Sequence, residues 1–115
     1  MRSSIFEVMA EPNRRRILDL LRERERSVGE LVKETRLSQP GISKHLRVLR
    51  EAGLVEVRQK GQKRVYHLRA EPLVEIDNWL EPYRRFWSEN LDALEKHLNG
   101  KDKHSTDAAL PEKKG

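Results

Sequence analysis

The sequence predicts a mainly α-helical domain carrying one small β-hairpin, and three observations predict it. Apolar residues recur at threes and fours from Ile5 to Leu21, across Val28–Val32 and from Leu73 to Leu98, which is the helical period. Between Gly53 and Ala70 the period falls to two, with a Lys-Gly-Gln-Lys turn in the middle. Serines at positions 4, 27 and 38 stand where helix N-caps are needed. With 115 residues the chain has length for one domain, and with only 36% hydrophobic residues it has reason to complete its core by dimerising.

Ser4 and Glu7 are three apart, the spacing at which a serine hydroxyl and a glutamate carboxylate each accept the other's backbone N–H. They open a short helix carrying Ile5, Phe6, Val8 and Met9. Pro12 takes the first position of a second helix, where its missing N–H is not needed, and Ile17, Leu20 and Leu21 form the face expected inside. Arg14, Arg15 and Arg16 read as a solvated or ion-paired helix start, with a phosphate contact as the alternative, and Glu23–Arg26 as a charged exit. Ser27 and Glu30 repeat the capping pattern and open a third helix, with Val28, Leu31 and Val32 directed inward and an end near Thr35–Arg36. Leu37 plugs the tight connection that follows.

The stretch Ser38–Gly53, SQPGISKHLRVLREAG, carries the most information. Ser38 caps a helix over residues 38–52, Pro40 lies in its first turn, and Gly53 supplies a left-handed stop. Ile42, Leu46 and Leu49 form a narrow apolar stripe, while Pro40, Ser43, Lys44, Arg47 and Arg50 face the other way. Two short helices joined by a tight turn, the second greasy beneath and cationic above, form a helix-turn-helix suited to a DNA major groove. Residues 54–69 then alternate as two strands around Lys60-Gly61-Gln62-Lys63, so the motif is winged, with Lys60, Lys63 and Arg64 at a tip able to reach phosphates or a minor groove. His45, beside the stripe, reads as a packing residue with a polar tip.

Pro72 opens the last helix, residues 72–98, where Leu73, Ile76, Leu80, Tyr83, Trp87, Leu91, Leu94 and Leu98 recur over several turns. Trp79 and Phe86 widen this stripe beyond what one small domain covers, which points to a partner helix, and Pro82 is expected to kink or break it. Residues 99–115 have no period and read as a disordered tail.

Charge divides the same way. From Arg36 to Arg69 nine Lys and Arg oppose two Glu, a net of +7, whereas from Ala70 to Gly100 three basic residues oppose seven acidic ones, a net of −4. A basic middle followed by an acidic helix is the footprint of a polyanion-binding unit joined to an assembly element. Cysteine is absent, which excludes disulfides, thiolate metal sites and thiol redox sensing within this chain. No run approaches a membrane span and no signal-peptide pattern is present, so a soluble, cytoplasmic protein is expected. Ser43 and His45 are turned apart by their two-residue offset with no orienting acid, and no cysteine nucleophile, glycine-rich phosphate loop or metal-ligand cluster supports an enzyme or a cofactor.

The strings EPNRRRILDLL, LSQPGISKHLRVLREAGLVEVRQKGQKRVYHL and WLEPYRRFWSENLDALEKHL resemble the ArsR/SmtB-type winged helix-turn-helix repressors over Ile5–Leu98, and the last of them resembles the autorepressor subgroup without a metal site. The resemblance implies four helices, a two-stranded wing and a fifth helix, in a homodimer paired through its terminal helices. It places Ile5, Phe6, Met9, Trp79, Tyr83, Phe86, Trp87, Leu91 and Leu94 at the dimer interface. It also maps base and phosphate contacts onto Gln39, Ser43, Lys44 and Arg47, with Lys63 and Arg64 on the wing. Gln39 suits adenine and Arg47 guanine by bidentate pairing.

Metal-sensing relatives carry cysteines where this chain has Ser27-Val28-Gly29-Glu30-Leu31, and zinc-type ones carry an Asp-x-His where it has Asp77-Asn78-Trp79. His45, His67, His97 and His104 form no pair at ligand spacing, so no metal is expected. The expected partners are double-stranded DNA and a second copy, with no membrane and an unassigned small-molecule effector. Two other readings stay open: a repressor released by a ligand or metal, and a dimeric adaptor that does not read DNA.

Overall fold

The computed structural model describes residues 3–99; the predicted tail from residue 100 onward and the side chain of Leu94 lie outside the described residues. The chain forms two compact units divided between Asn78 and Trp79. In the first, α1 (Ile5–Ala10), α2 (Pro12–Glu23), β1 (Arg26–Ser27), α3 (Val28–Thr35), α4 (Gln39–Glu51), β2 (Val55–Lys60) and β3 (Lys63–Leu68) precede a 3-10 turn at Glu71–Leu73. Helix α5, Val74–Asn99, begins in this unit and supplies the described part of the second.

The helix starts follow from local chemistry. Ser4 Oγ accepts the Glu7 N–H and Glu7 Oε1 accepts the Ser4 N–H, both at 3.1 Å. Ser27 and Glu30 repeat the exchange at 3.2 and 2.8 Å. Each such cap contributes about 1 kcal/mol to its helix. Glu11 caps α2, its carboxylate accepting the Asn13 and Arg14 N–H groups at 2.7 and 3.1 Å. Of the arginines expected to be solvated or ion-paired, Arg15 and Arg16 are exposed and Arg14 is half-buried. Arg14 Nε donates to the Val8 carbonyl at 2.8 Å and an Arg15 guanidinium nitrogen to that of Met9 at 2.6 Å. They satisfy carbonyls that the end of α1 leaves open.

Ile17, Leu31, Ile42, Leu46, Leu49 and Leu54 are fully buried and bring α2, α3, α4 and the start of the hairpin onto one core. Each contributes about 1.5–3 kcal/mol by leaving water. Leu18 rather than Leu20 completes the inner face of α2, and on α3 Leu31 and Thr35 go inside while Val28 and Val32 are only partly covered. Ile5, expected at a dimer interface, is a core residue of the single chain, and Met9 packs partly buried against that core.

The hairpin is as expected, with Val57 opposite Tyr66 and Lys60 opposite Lys63. Its two-residue loop puts Gly61 (φ 64°) where a positive φ is needed. The sequence did not reveal a third strand: β1 pairs antiparallel with β3, Arg26 opposite Tyr66, giving the order β1-β3-β2. Arg26 is therefore not a charged exit. It is 3% exposed, with its guanidinium donating to the Leu20 carbonyl and pairing with Glu23 and Glu34.

Pro72 sits in the 3-10 turn, so α5 starts two residues later than expected, and it runs unbroken through Pro82. Proline removes one hydrogen bond from a 26-residue helix, and the turns on both sides keep theirs. In the second unit Trp79, Tyr83, Phe86, Trp87 and Leu91 are exposed, Trp79 and Tyr83 with ring centroids 5.2 Å apart. Glu81 pairs with Arg84 at 2.7 Å, which holds its carboxyl below the ordinary range. Among the described residues no helix is long and apolar enough to cross a membrane.

Candidate nucleic-acid interface

Three local devices position α4. Ser38 Oγ accepts the Gly41 N–H at 3.1 Å, and Pro40 sits in the first turn, fixing the start. Ile42, Leu46 and Leu49 fasten the underside to the core. At the far end Gly53 is left-handed (φ 79°), its N–H donating to the Arg50 carbonyl and that of Leu54 to Leu49, both at 2.9 Å. This paired closure stops the helix cleanly.

The outward face is what these anchors leave. Gln39, Pro40, Ser43, Lys44, Arg47 and Arg50 are all exposed. By the helical repeat, Gln39, Ser43, Arg47 and Arg50 lie within about 80° of one another around the axis. The side chains of Lys44, Arg47 and Arg50 make no hydrogen bond or ion pair among the described residues, so their charges stay available to a polyanion. His45 is half-buried as expected, with Nε2 3.9 Å from Glu11 Oε1 and a buried Nδ1 lacking a hydrogen-bond partner in the described structure.

The wing cations are not equivalent. Lys63 and Arg64 are exposed and make no ion pair among the described residues. Lys60, expected to join them, is bound to Glu25, which also holds Arg58 at 3.5 Å. The Lys60 hydrogen bond keeps the Glu25 carboxyl below the usual carboxylate range. Arg24 reaches Glu30 and Glu34 of α3 at 3.7 and 3.6 Å, so Arg24-Glu25-Arg26 ties α2, α3 and the turn end of β2 together. An open cleft of about 440 Å³ beside this junction is lined by Arg24, Glu25, Glu30, Lys60, Lys63 and Val65. Its charged lining differs from the mainly apolar lining typical of small-molecule sites.

At the hairpin's other end Arg69 pairs with Glu56 and with Glu71 at 3.3 Å, and His67 Nε2 lies 3.1 Å from Glu56. The Glu71 hydrogen bond raises the Arg69 guanidinium's affinity for its proton. Among the described residues no three of His, Asp or Glu gather closely enough to hold a metal ion. Sequence reasoning counted Arg36 in the charge balance but not as a site residue, and its only local signal was its place in the turn before α4.

A wing beside a capped helix with an exposed basic face defines a winged helix-turn-helix of the class found in bacterial transcriptional regulators. Residues 11–57 match the model described as bacterial regulatory protein, arsR family. The transcriptional repressor SdpR of Bacillus subtilis is 33% identical over 78 residues, covering 68% of this chain and 87% of that protein. The arsenical resistance operon repressor of Staphylococcus xylosus is 37% identical over 79 residues, covering 69% and 76%. A solved structure of a possible transcriptional regulator for arsenical resistance superposes with a TM-score of 0.62 at 40% identity, covering 80% of this chain and 93% of that one. The chain belongs to the ArsR family, and it is a transcriptional regulator with that family's winged-helix fold.

Proposed function

We propose that the protein is a cytoplasmic homodimeric repressor that occupies a pseudo-palindromic operator, its own promoter included, without a resident metal. The observation carrying this reading is the division of α4: its apolar stripe is sealed into the core while Gln39, Ser43 and Arg47 stand exposed on one face. Gln39 and Arg47 supply bidentate groups for adenine and guanine, and Ser43 accepts either kind of base. Lys44, Lys63 and Arg64 supply phosphate contacts, with Pro40 fitting the close approach of the helix start. A second copy covers the exposed aromatics of α5, an apolar surface unusual for a solvated helix. Two-fold pairing then sets the reading helices about 34–36 Å apart, one turn of DNA.

The absence of cysteine removes thiolate ligation from this chain, which favours metal-independent repression over a response to thiophilic metals. Mobility shifts on the promoter fragment and on a random duplex, each at two salt concentrations, test the DNA reading. Preferential, salt-sensitive binding to the promoter is expected, and equal affinity for both fragments would overturn it. Sedimentation velocity tests the pairing: a dimer is expected, and a monomer at micromolar concentration would refute it.

A further inference from the structure

Arg36 is the C-cap of α3, with φ 66° and ψ 15°, and among the described residues it is the only non-glycine with positive φ. The left-handed region is unfavourable for a residue bearing Cβ, and the other two such positions among the described residues hold glycine, Gly53 and Gly61. The backbone around Arg36 is fixed by its neighbours. Thr35 is buried, its hydroxyl donating to the Leu31 carbonyl at 2.7 Å and accepting the Leu37 N–H at 3.1 Å. Arg36 N–H itself donates to the Val32 carbonyl at 2.8 Å, and Leu37 packs against the core. These contacts would hold the turn with glycine at position 36 as well. The arginine side chain is exposed and makes no hydrogen bond or ion pair among the described residues, so the local fold gains no side-chain contact from it.

We infer that Arg36 is a DNA-binding residue: a phosphate contact at the turn, three residues ahead of Gln39, retained at the expense of backbone comfort. This deepens the proposed function and rests on it. Sparsely populated backbone conformations persist where surrounding structure over-determines them, and they cluster at binding sites. Here the over-determining contacts are Thr35 and Leu37, and a guanidinium donates well to phosphate. A cation at this turn would set the register of α4 along the groove without reading a base.

Arg36→Gly and Arg36→Lys, compared with wild type on a random duplex and on the promoter fragment, test this. Wild type must bind for the proposed function to stand, so its failure is seen separately. If Arg36 contacts phosphate, Arg36→Gly weakens binding several-fold on both duplexes, lowers the salt slope by about 0.9 per protomer, and melts no lower than wild type. Arg36→Lys restores most of the affinity. Unchanged affinity and slope in Arg36→Gly would overturn the inference. So would a lowered melting temperature with an unchanged slope, the signature of an arginine kept for the C-terminal dipole of α3.

Discussion

Arg26 offers the most direct test of how α2, α3 and the sheet are held together. Its guanidinium reaches the Leu20 carbonyl at 3.1 Å, Glu23 at 3.1 Å, and Glu34, so one side chain joins the end of α2 to α3 while its backbone pairs with Tyr66. Arg26→Ala removes three charge-assisted contacts and the packed stem. A buried pair broken from one side costs about 3–5 kcal/mol when the remaining charge is stranded. Here Glu23 and Glu34 keep side-chain exposures of 62% and 34%, and the Leu20 carbonyl still receives the Arg24 N–H, so water and backbone recover part of the loss. A cost of about 2–3 kcal/mol follows, against about 1 kcal/mol or less for Arg26→Met, which keeps the stem and replaces a buried ion by an apolar group. Urea unfolding followed by far-UV circular dichroism, at one protein concentration to hold any dimer equilibrium constant, reads both variants. Arg26→Ala within about 0.5 kcal/mol of wild type, or as stable as Arg26→Met, would show that the guanidinium holds nothing together.

The Ser27–Glu30 box predicts an acid limb. The Ser27 N–H holds the Glu30 carboxyl below its ordinary value of 4.5, so the stabilisation is present above that pH and is lost as pH falls through the depressed value. Glu30→Gln should flatten that part of the urea midpoint against pH, and an identical profile would exclude the contribution. Arg47→Ala should cost about 1–3 kcal/mol on the right operator and much less on random DNA, measured by fluorescence anisotropy. Equal loss on both would make Arg47 a phosphate contact. Because Arg47 is exposed and makes no ion pair among the described residues, its variant should melt with wild type, which keeps the binding result free of unfolding.

What the sequence made legible was what depends on near neighbours in the chain. The capping boxes, the Pro40 start, the Gly53 stop and the stripe Ile42–Leu46–Leu49 are set by residues within a few positions of each other, and all are in place. The inner face of α2 shows where that ends. Ile17 and Leu21 lie nearly in line, Leu18 and Leu20 flank them on opposite sides, and only tertiary packing decides which flank goes in. Arg14 and Arg26 were misjudged for a related reason: charge predicts exposure until a carbonyl or carboxylate supplies the missing partner. A two-residue strand such as β1 has no period to detect, and Pro82 sits in a helix whose other turns keep their bonds.

The charge count can be refined the same way, and the refinement is measurable. Of the nine basic residues between Arg36 and Arg69, Arg58 and Lys60 are engaged by Glu25, and Arg69 by Glu56 and Glu71. Arg36, Lys44, Arg47, Arg50, Lys63 and Arg64 make no ion pair among the described residues, and all six lie in the turn before α4, on α4, or at the wing tip. Each phosphate neutralised contributes about 0.9 to the salt slope of binding. Six contacts therefore set a ceiling of about −5 per protomer, whereas all nine cations would allow about −8. Titrating a random duplex across a series of salt concentrations gives the slope directly. A value per protomer steeper than about −6 would mean that cations beyond these six reach phosphate, either Arg58, Lys60 and Arg69 released by their glutamates or the exposed Arg15 and Arg16 at the start of α2.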